Sequence, residues 1–139
     1  GTVGREPSLA ENEHDVGAHL MTEQPLPSLE TLPNQYSGRE YEVDISCPEF
    51  TAVCPRTGQP DFATIRIRYV PDRKIVELKS LKLYLFAYRN RGIYHEHVTN
   101  KILDDFVAAC DPIRCEVIGD FNVRGGIKTV VTARYERSG

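Results

Sequence analysis

Four stretches of this chain alternate apolar and polar residues with a period of two, which confines it to a fold built on strands. Tyr41, Val43 and Ile45 alternate with Glu40, Glu42 and Asp44, and Ile65, Ile67 and Tyr69 with Arg66 and Arg68. Towards the end, Ile113, Cys115 and Val117 alternate with Arg114 and Glu116, and Ile127, Thr129, Val131, Ala133 and Tyr135 share one face. Successive strand side chains point to opposite faces, so each stretch reads as a half-buried strand. If the first two pair, an acidic row meets a basic row, which favours that register. Pro71–Lys74 reads as a turn, Ile75–Glu77 as a short return strand, Gly119 as a bulge and Arg124-Gly125-Gly126 as a hairpin turn.

Between the strand pairs the period changes to that of helices. Ser80 is the expected N-cap of a first helix carrying Leu81, Tyr84, Leu85 and Tyr88 on one face, with Gly92 breaking it. Val98, Ile102, Leu103, Phe106, Val107 and Cys110 mark a second helix that ends at Asp111-Pro112. Strands, two helices, strands is the order of an α+β domain: an antiparallel sheet with both helices on one face. Its open edges would allow pairing with further subunits into a ring.

Residues 1–37 differ in kind. They hold six of the chain's 20 acids, one of its 17 bases and Pro7, Pro25, Pro27 and Pro33, with no apolar period. Such a stretch cannot offset its ordering entropy by burial, so it is expected to be a flexible extension to one catalytic domain, residues 38–139. The rest carries a slight positive excess, suited to a small anionic ligand and too weak to argue for nucleic acid. With no apolar run of about 20 residues and no basic-apolar leader, a cytoplasmic location is expected. Cys47, Cys54, Cys110 and Cys115 form no C-x-x-C pair and read as reduced thiols.

The densest chemical candidate is Cys54-Pro55-Arg56-Thr57-Gly58-Gln59-Pro60-Asp61. A compact loop with two prolines and a glycine can bring a thiol and a carboxylate together. A nearby cation such as Arg56 would enrich the nucleophilic thiolate, and the acid could exchange protons with substrate. A structural or incidental cysteine accounts for the same residues. Lys79 and Lys82 flank the first turn of the first helix, where phosphate recognition is reasonable, as is a solvated basic face. His95-Glu96-His97 does not match H-E-x-x-H, and histidines two apart diverge on a helix, so no metal site is expected. Glu96 could accept from the paired N–H donors of a guanine-like base or simply complement the helix dipole. Arg124 beside two glycines could approach a phosphate or sit in an ordinary turn. Neither G-x-G-x-x-G nor a Walker A sequence is present.

Three blocks taken in order carry a family resemblance. They are Cys47-Pro48-Glu49-Phe50-Thr51 through Asp61-Phe62, Glu77-Leu78-Lys79-Ser80-Leu81-Lys82-Leu83-Tyr84, and Tyr94-His95-Glu96. From about Tyr41 to Tyr135 the chain resembles the short, single-domain nitrile reductases that make 7-aminomethyl-7-deazaguanine on the route to queuosine in tRNA. The second block is that family's diagnostic motif. The resemblance implies a tunnelling fold, pentameric rings stacked into a decamer, and active sites at subunit interfaces. It implies NADPH as cofactor and 7-cyano-7-deazaguanine as substrate. Cys54 matches the nucleophile that forms a thioimide, and Asp61 the proton donor. Val76, Glu77 and Leu78, with His95 and Glu96, match the substrate contacts. Lys79, Lys82 and Arg124 are the positions for cofactor phosphates. Rival readings are a same-fold amidinotransferase-like enzyme acting on the nitrile without nicotinamide, and a non-catalytic deazapurine-binding module. The diagnostic motif argues against the first, and retention of both Cys54 and Asp61 against the second. A cyclohydrolase of this fold would need metal ligands that this sequence does not supply.

Overall fold

The computed structural model describes residues 25–138, and within them the alternating stretches form one four-stranded antiparallel sheet. Its strands are β2 (Val43–Val53), β3 (Pro60–Val70), β5 (Arg114–Arg124) and β6 (Ile127–Glu136), ordered β2-β3-β5-β6. Between β3 and β5 lie a short strand β4 (Lys74–Val76), helix α1 (Leu78–Phe86), a 3-10 turn (Ala87–Asn90) and helix α2 (His95–Cys110). Ala52, Ala63, Ile65, Ile67, Tyr69, Cys115, Val117, Phe121 and Ala133 share one core with Leu81, Tyr84, Leu85, Tyr88, Val98, Ile102, Leu103, Phe106 and Cys110. Both helices therefore cover the same face of the sheet, and the α+β architecture matches the expectation from the order of periods.

The opposite face carries the charged alternates. The register aligns Asp44 with Arg68, Arg68 with Glu116, and Glu116 with Arg134, a row of alternating sign across all four strands. The acid–base attraction expected between β2 and β3 is present but runs diagonally. Arg66 donates to Asp44 at 2.7 Å and Arg68 to Glu42 at 3.1 Å, each two residues along β2 from the residue directly opposite. These pairs are exposed and screened by solvent, so the apolar face specifies the register and the charges only agree with it.

Several local expectations are corrected. β4 does not return along β3; it pairs with a further strand β1 (Thr31–Pro33), with Thr31 opposite Val76. The folded unit thus includes residues placed in the extension. Glu77 N–H donates to Glu30 O at 2.8 Å, Glu30 N–H donates to Ser80 Oγ at 2.9 Å, and buried Asn34 bonds the Asp72–Arg73 turn. Proline and acid content hid a strand only three residues long. Residues 1–24 of the expected extension lie outside the described residues. Glu77, rather than Ser80, caps α1: its carboxylate accepts the N–H groups of Lys79 and Ser80, both at 2.8 Å. Ser80 is buried and ties the β1 segment instead. Gly119 marks no bulge, since its pairing with Ile65 and Val131 is regular. A Cβ there would lie 2.5 Å from Thr99 Oγ1 and 2.8 Å from Phe121 Cε1, so α2 packs against its bare backbone.

The real irregularities sit elsewhere. One extra residue interrupts β2 between Cys47 and Phe50, and another interrupts β5 between Phe121 and Arg124. Each shift moves the residues beyond it to the other face of the sheet. α2 ends where Asp111 adopts a left-handed conformation (φ 48°) before Pro112. Among the described residues, no helix is long and apolar enough to cross a membrane.

Candidate active site

The two shifts assemble the site. Beyond the first, Phe50 and Ala52 face the helices, and half-buried Cys54 comes directly after the last residue of β2. Asp61 lies opposite Ala52 on β3 and is only 6% exposed. The turn between them is closed by Cys54 N–H donating to Gln59 O and Gly58 N–H to Cys54 O, both at 2.8 Å, with Gly58 at φ 73°. Thiol and carboxylate are therefore carried on one tight hairpin connection.

The electrostatics single out this cysteine. Burial pushes the Cys54 thiol up, but hydrogen bonds from the Thr57 side chain and from the Thr57 and Arg56 backbone N–H groups outweigh it. The nearby negative charge of Asp61 opposes them only in part, and the thiol ends below its ordinary value. The expected help from Arg56 comes from its amide and not from its guanidinium. Burial instead raises the thiol of Cys47 and pushes Cys110 and Cys115 up to about 12. Of the four free cysteines, Cys54 alone is biased towards thiolate.

Asp61 is held from two sides. His95 Nε2, at the first position of α2, stands 3.3 Å from Oδ2, and Arg124 Nε stands 2.8 Å from Oδ1. Arg124 also donates to Gln59 Oε1 at 2.6 Å and to Pro60 O. It reaches them because the second shift turns the end of β5 inward, at a two-residue hairpin whose Gly125 and Gly126 have φ 60° and 79°. His95 stacks on Phe121, ring centroids 3.8 Å apart and planes 7° from parallel. Phe121 lies opposite Ala63, two residues along the same face from Asp61. His97 turns away and packs edge-on against Tyr94, the divergence expected of a two-residue spacing.

The remaining sequence candidates lie apart from this cluster. Glu96 is exposed on the first turn of α2. Val76 has a buried side chain, and its N–H donates to Tyr69 Oη at 3.0 Å. Leu78, Lys79 and Lys82 are exposed at the start of α1, whose first amides are already taken by Glu77. Among the described residues, no hydrogen bond or ion pair links this stretch to Cys54, Asp61, His95 or Arg124. A groove of about 500 Å³ runs between β2 and α1, lined by Leu78, Leu81, Lys82, Leu85, Phe86 and Arg89 among others. It is lined by neither Cys54 nor Asp61. Phe121, Gln59 and Thr57 were missed in the sequence. Phe121 is indistinguishable there from a core residue, and Gln59 and Thr57 belong to a loop in which only the ends looked reactive.

The sequence model of the family described as QueF-like protein matches residues 60–139. The chain is 66% identical over 118 residues to the NADPH-dependent 7-cyano-7-deazaguanine reductase of Thermomicrobium roseum (strain ATCC 27502 / DSM 5159 / P-2), covering 85% of this chain and 92% of that protein.

The chain belongs to the QueF-like family.

A second relative, the NADPH-dependent 7-cyano-7-deazaguanine reductase of Anaeromyxobacter sp. (strain K), is 64% identical over 115 residues, covering 83% of this QueF-like chain and 94% of its own length. A crystal structure of the archaeosine synthase QueF-Like in the apo form superposes with a TM-score of 0.63 at 21% identity, covering 76% of this chain and 100% of that one. At that identity the likeness speaks for a QueF-like fold alone.

Proposed function

We propose that this protein is an NADPH-dependent reductase that converts the nitrile of 7-cyano-7-deazaguanine to the aminomethyl group, a step in making queuosine. The observation that carries this reading is a thiol biased towards thiolate beside a buried carboxyl, on a chain close in sequence to reductases so named. Cys54 adds to the nitrile carbon; the S–C bond forms, and the π electron pair moves to nitrogen. Asp61 passes that nitrogen a proton taken from the facing His95, and the product is a neutral thioimide on Cys54. A nitrile is a poor hydride acceptor, and the protonated thioimide an activated one. His95, partly exposed and facing Asp61, can return the proton from solvent. Glu96 is the candidate acceptor for the paired N–H donors of the deazaguanine ring, and Glu77 and Leu78 for further substrate contacts.

Residues of this chain fit the cofactor. The exposed ammonium groups of Lys79 and Lys82 have no ion-pair partner among the described residues, and Lys82 and Arg89 share the groove with an apolar wall. Cations beside apolar surface suit a phosphate-bearing dinucleotide. NADPH would supply hydride to carbon twice: at the thioimide, after which the C–S bond breaks with its electron pair returning to Cys54 as thiolate, and at the imine so released. Among the described residues β2 and β6 are the outer strands of the sheet, β2 being bridged on its free side only at Val53 by Gly92, and such open edges support assembly into the ring expected of a tunnelling fold. A neighbouring chain's α1 could then complete the site. Reduced thiols and a nucleoside-precursor substrate suit the cytoplasm.

Incubating the protein with the nitrile alone and measuring intact mass tests the reading. One substrate mass should add at Cys54, and NADPH should discharge it with about two cofactors consumed per nitrile. Turnover without any adduct at Cys54 would refute the covalent route.

A further inference from the structure

The sequence left Arg124 between a cofactor-phosphate ligand and a turn residue, but its guanidinium is spent on the catalytic hairpin. Nε holds Asp61 Oδ1 at 2.8 Å, and the two terminal nitrogens donate to Gln59 and to the carbonyl of Pro60, residues just before Asp61. Three contacts from one planar group fix both the carboxyl rotamer and the strand end that carries it. They also make the two carboxylate oxygens unequal. Oδ1 is tied to a permanent cation, whereas Oδ2 faces the titratable imidazole of His95 at 3.3 Å. A proton can be gained or lost at Oδ2 without breaking the guanidinium contact.

We propose that Arg124 is a positioning residue for the Asp61 carboxyl, acting from the β5–β6 hairpin to reserve Oδ2 for proton exchange with His95 and the substrate nitrogen. The proposal rests on the nitrile-reductase reading for its substrate, but the geometry it invokes exists in the ligand-free chain. The charged and titratable groups facing Asp61 are His95 from α2, Arg124 from β5 and Cys54 from the end of β2. Glu96 and His97 on α2 and Arg56 on the turn are exposed. In each proton delivery the imidazolium N–H gives its proton to Oδ2, and Oδ2 passes a proton to the substrate nitrogen. The carboxylate left behind is balanced by Arg124.

The first arm of the test uses neither nitrile nor cofactor. With Arg124→Gln the Asp61 charge bears on the Cys54 thiol without its counter-ion. Alkylation of Cys54 by iodoacetamide, followed by peptide mass across pH, should then slow about threefold at neutral pH. Its midpoint should move up by about half a unit. Arg124→Lys, which keeps the charge without the fork, should move it less. Lys128→Gln, removing an exposed cation of the same hairpin that pairs with Asp120, should leave it in place. In the second arm, adduct formation with the nitrile should fall about tenfold or more in Arg124→Gln, while NADP+ binding weakens by no more than about threefold. An unchanged alkylation profile together with a large loss of NADP+ affinity would overturn the proposal and leave Arg124 a phosphate ligand. If Arg124→Gln does not fold, Arg124→Lys decides on the same two readouts. Absence of any adduct in the wild-type protein would sink the nitrile reading while leaving the alkylation arm intact.

Discussion

The imidazole of His95 lies flat on the ring of Phe121, with centroids 3.8 Å apart and planes 7° from parallel, while its Nε2 faces Asp61. The stack fixes a side chain that is otherwise partly open to solvent. Phe121→Leu keeps the core position apolar but removes the flat support. We expect a stability loss of about 1 kcal/mol from the stack and a fall in adduct-formation rate of about tenfold, with substrate affinity nearly unchanged. Urea unfolding and single-turnover mass measurements read the two effects separately.

Gly119→Ala should act on the same ring from behind. The added Cβ would fall 2.5 Å from Thr99 Oγ1 and 2.8 Å from Phe121 Cε1, so helix or ring must move. Overpacking of this kind costs about 1–3 kcal/mol. A midpoint in urea equal to wild type would show that α2 is not held as close to β5 as described.

Thiol labelling should rank the cysteines. Because the Cys54 thiol lies below its ordinary value, its thiolate fraction at neutral pH is larger and its alkylation faster. Cys47 should follow only at higher pH, and Cys110 and Cys115 should resist until the protein unfolds. Cys54→Ala should remove the fast phase and all turnover. Labelling of Cys47 before Cys54 would contradict the electrostatics of the turn.

Asp61→Asn preserves shape but cannot deliver the carboxyl proton. Stopped-flow reduction should slow by about 100-fold or more, with a much smaller change in nitrile binding. Equal losses in both would assign Asp61 to substrate binding alone.

Lys79→Gln and Lys82→Gln should each raise KM for NADPH by about tenfold, the usual worth of a charged hydrogen bond to phosphate. Neither should alter adduct formation in the absence of cofactor. An unchanged KM in both would return these lysines to a solvated basic face.

Much of the scaffold was legible because alternation alone dictates which residues face inward. Ile65, Ile67 and Tyr69, and Cys115 and Val117, are buried as their period demands. The helix faces from Leu81 to Tyr88 and from Val98 to Cys110 follow for the same reason. Cys54 and Asp61 stood out as one compact thiol–carboxylate loop, but a structural cysteine explained that loop as well, and their candidate roles came from the family resemblance. Their support was not legible. Arg124 comes 63 residues after Asp61 and reaches it only through a one-residue shift in β5 that no local pattern announces. Ser80 looked the better cap because serine generally is one; the longer Glu77 side chain reaches both amides and leaves Ser80 for the β1 segment.

That last attachment bears on how the protein can be handled. The stretch around Glu30 and Thr31 works as a strap across the base of the helix bearing the candidate phosphate-binding lysines. A version trimmed to the alternating core at residue 38 would look complete by composition, yet it would cut the strap and strip a ladder partner from β4. A weak grip on the dinucleotide in such a trimmed protein would therefore reflect a loosened helix origin, and would not count against the lysines themselves.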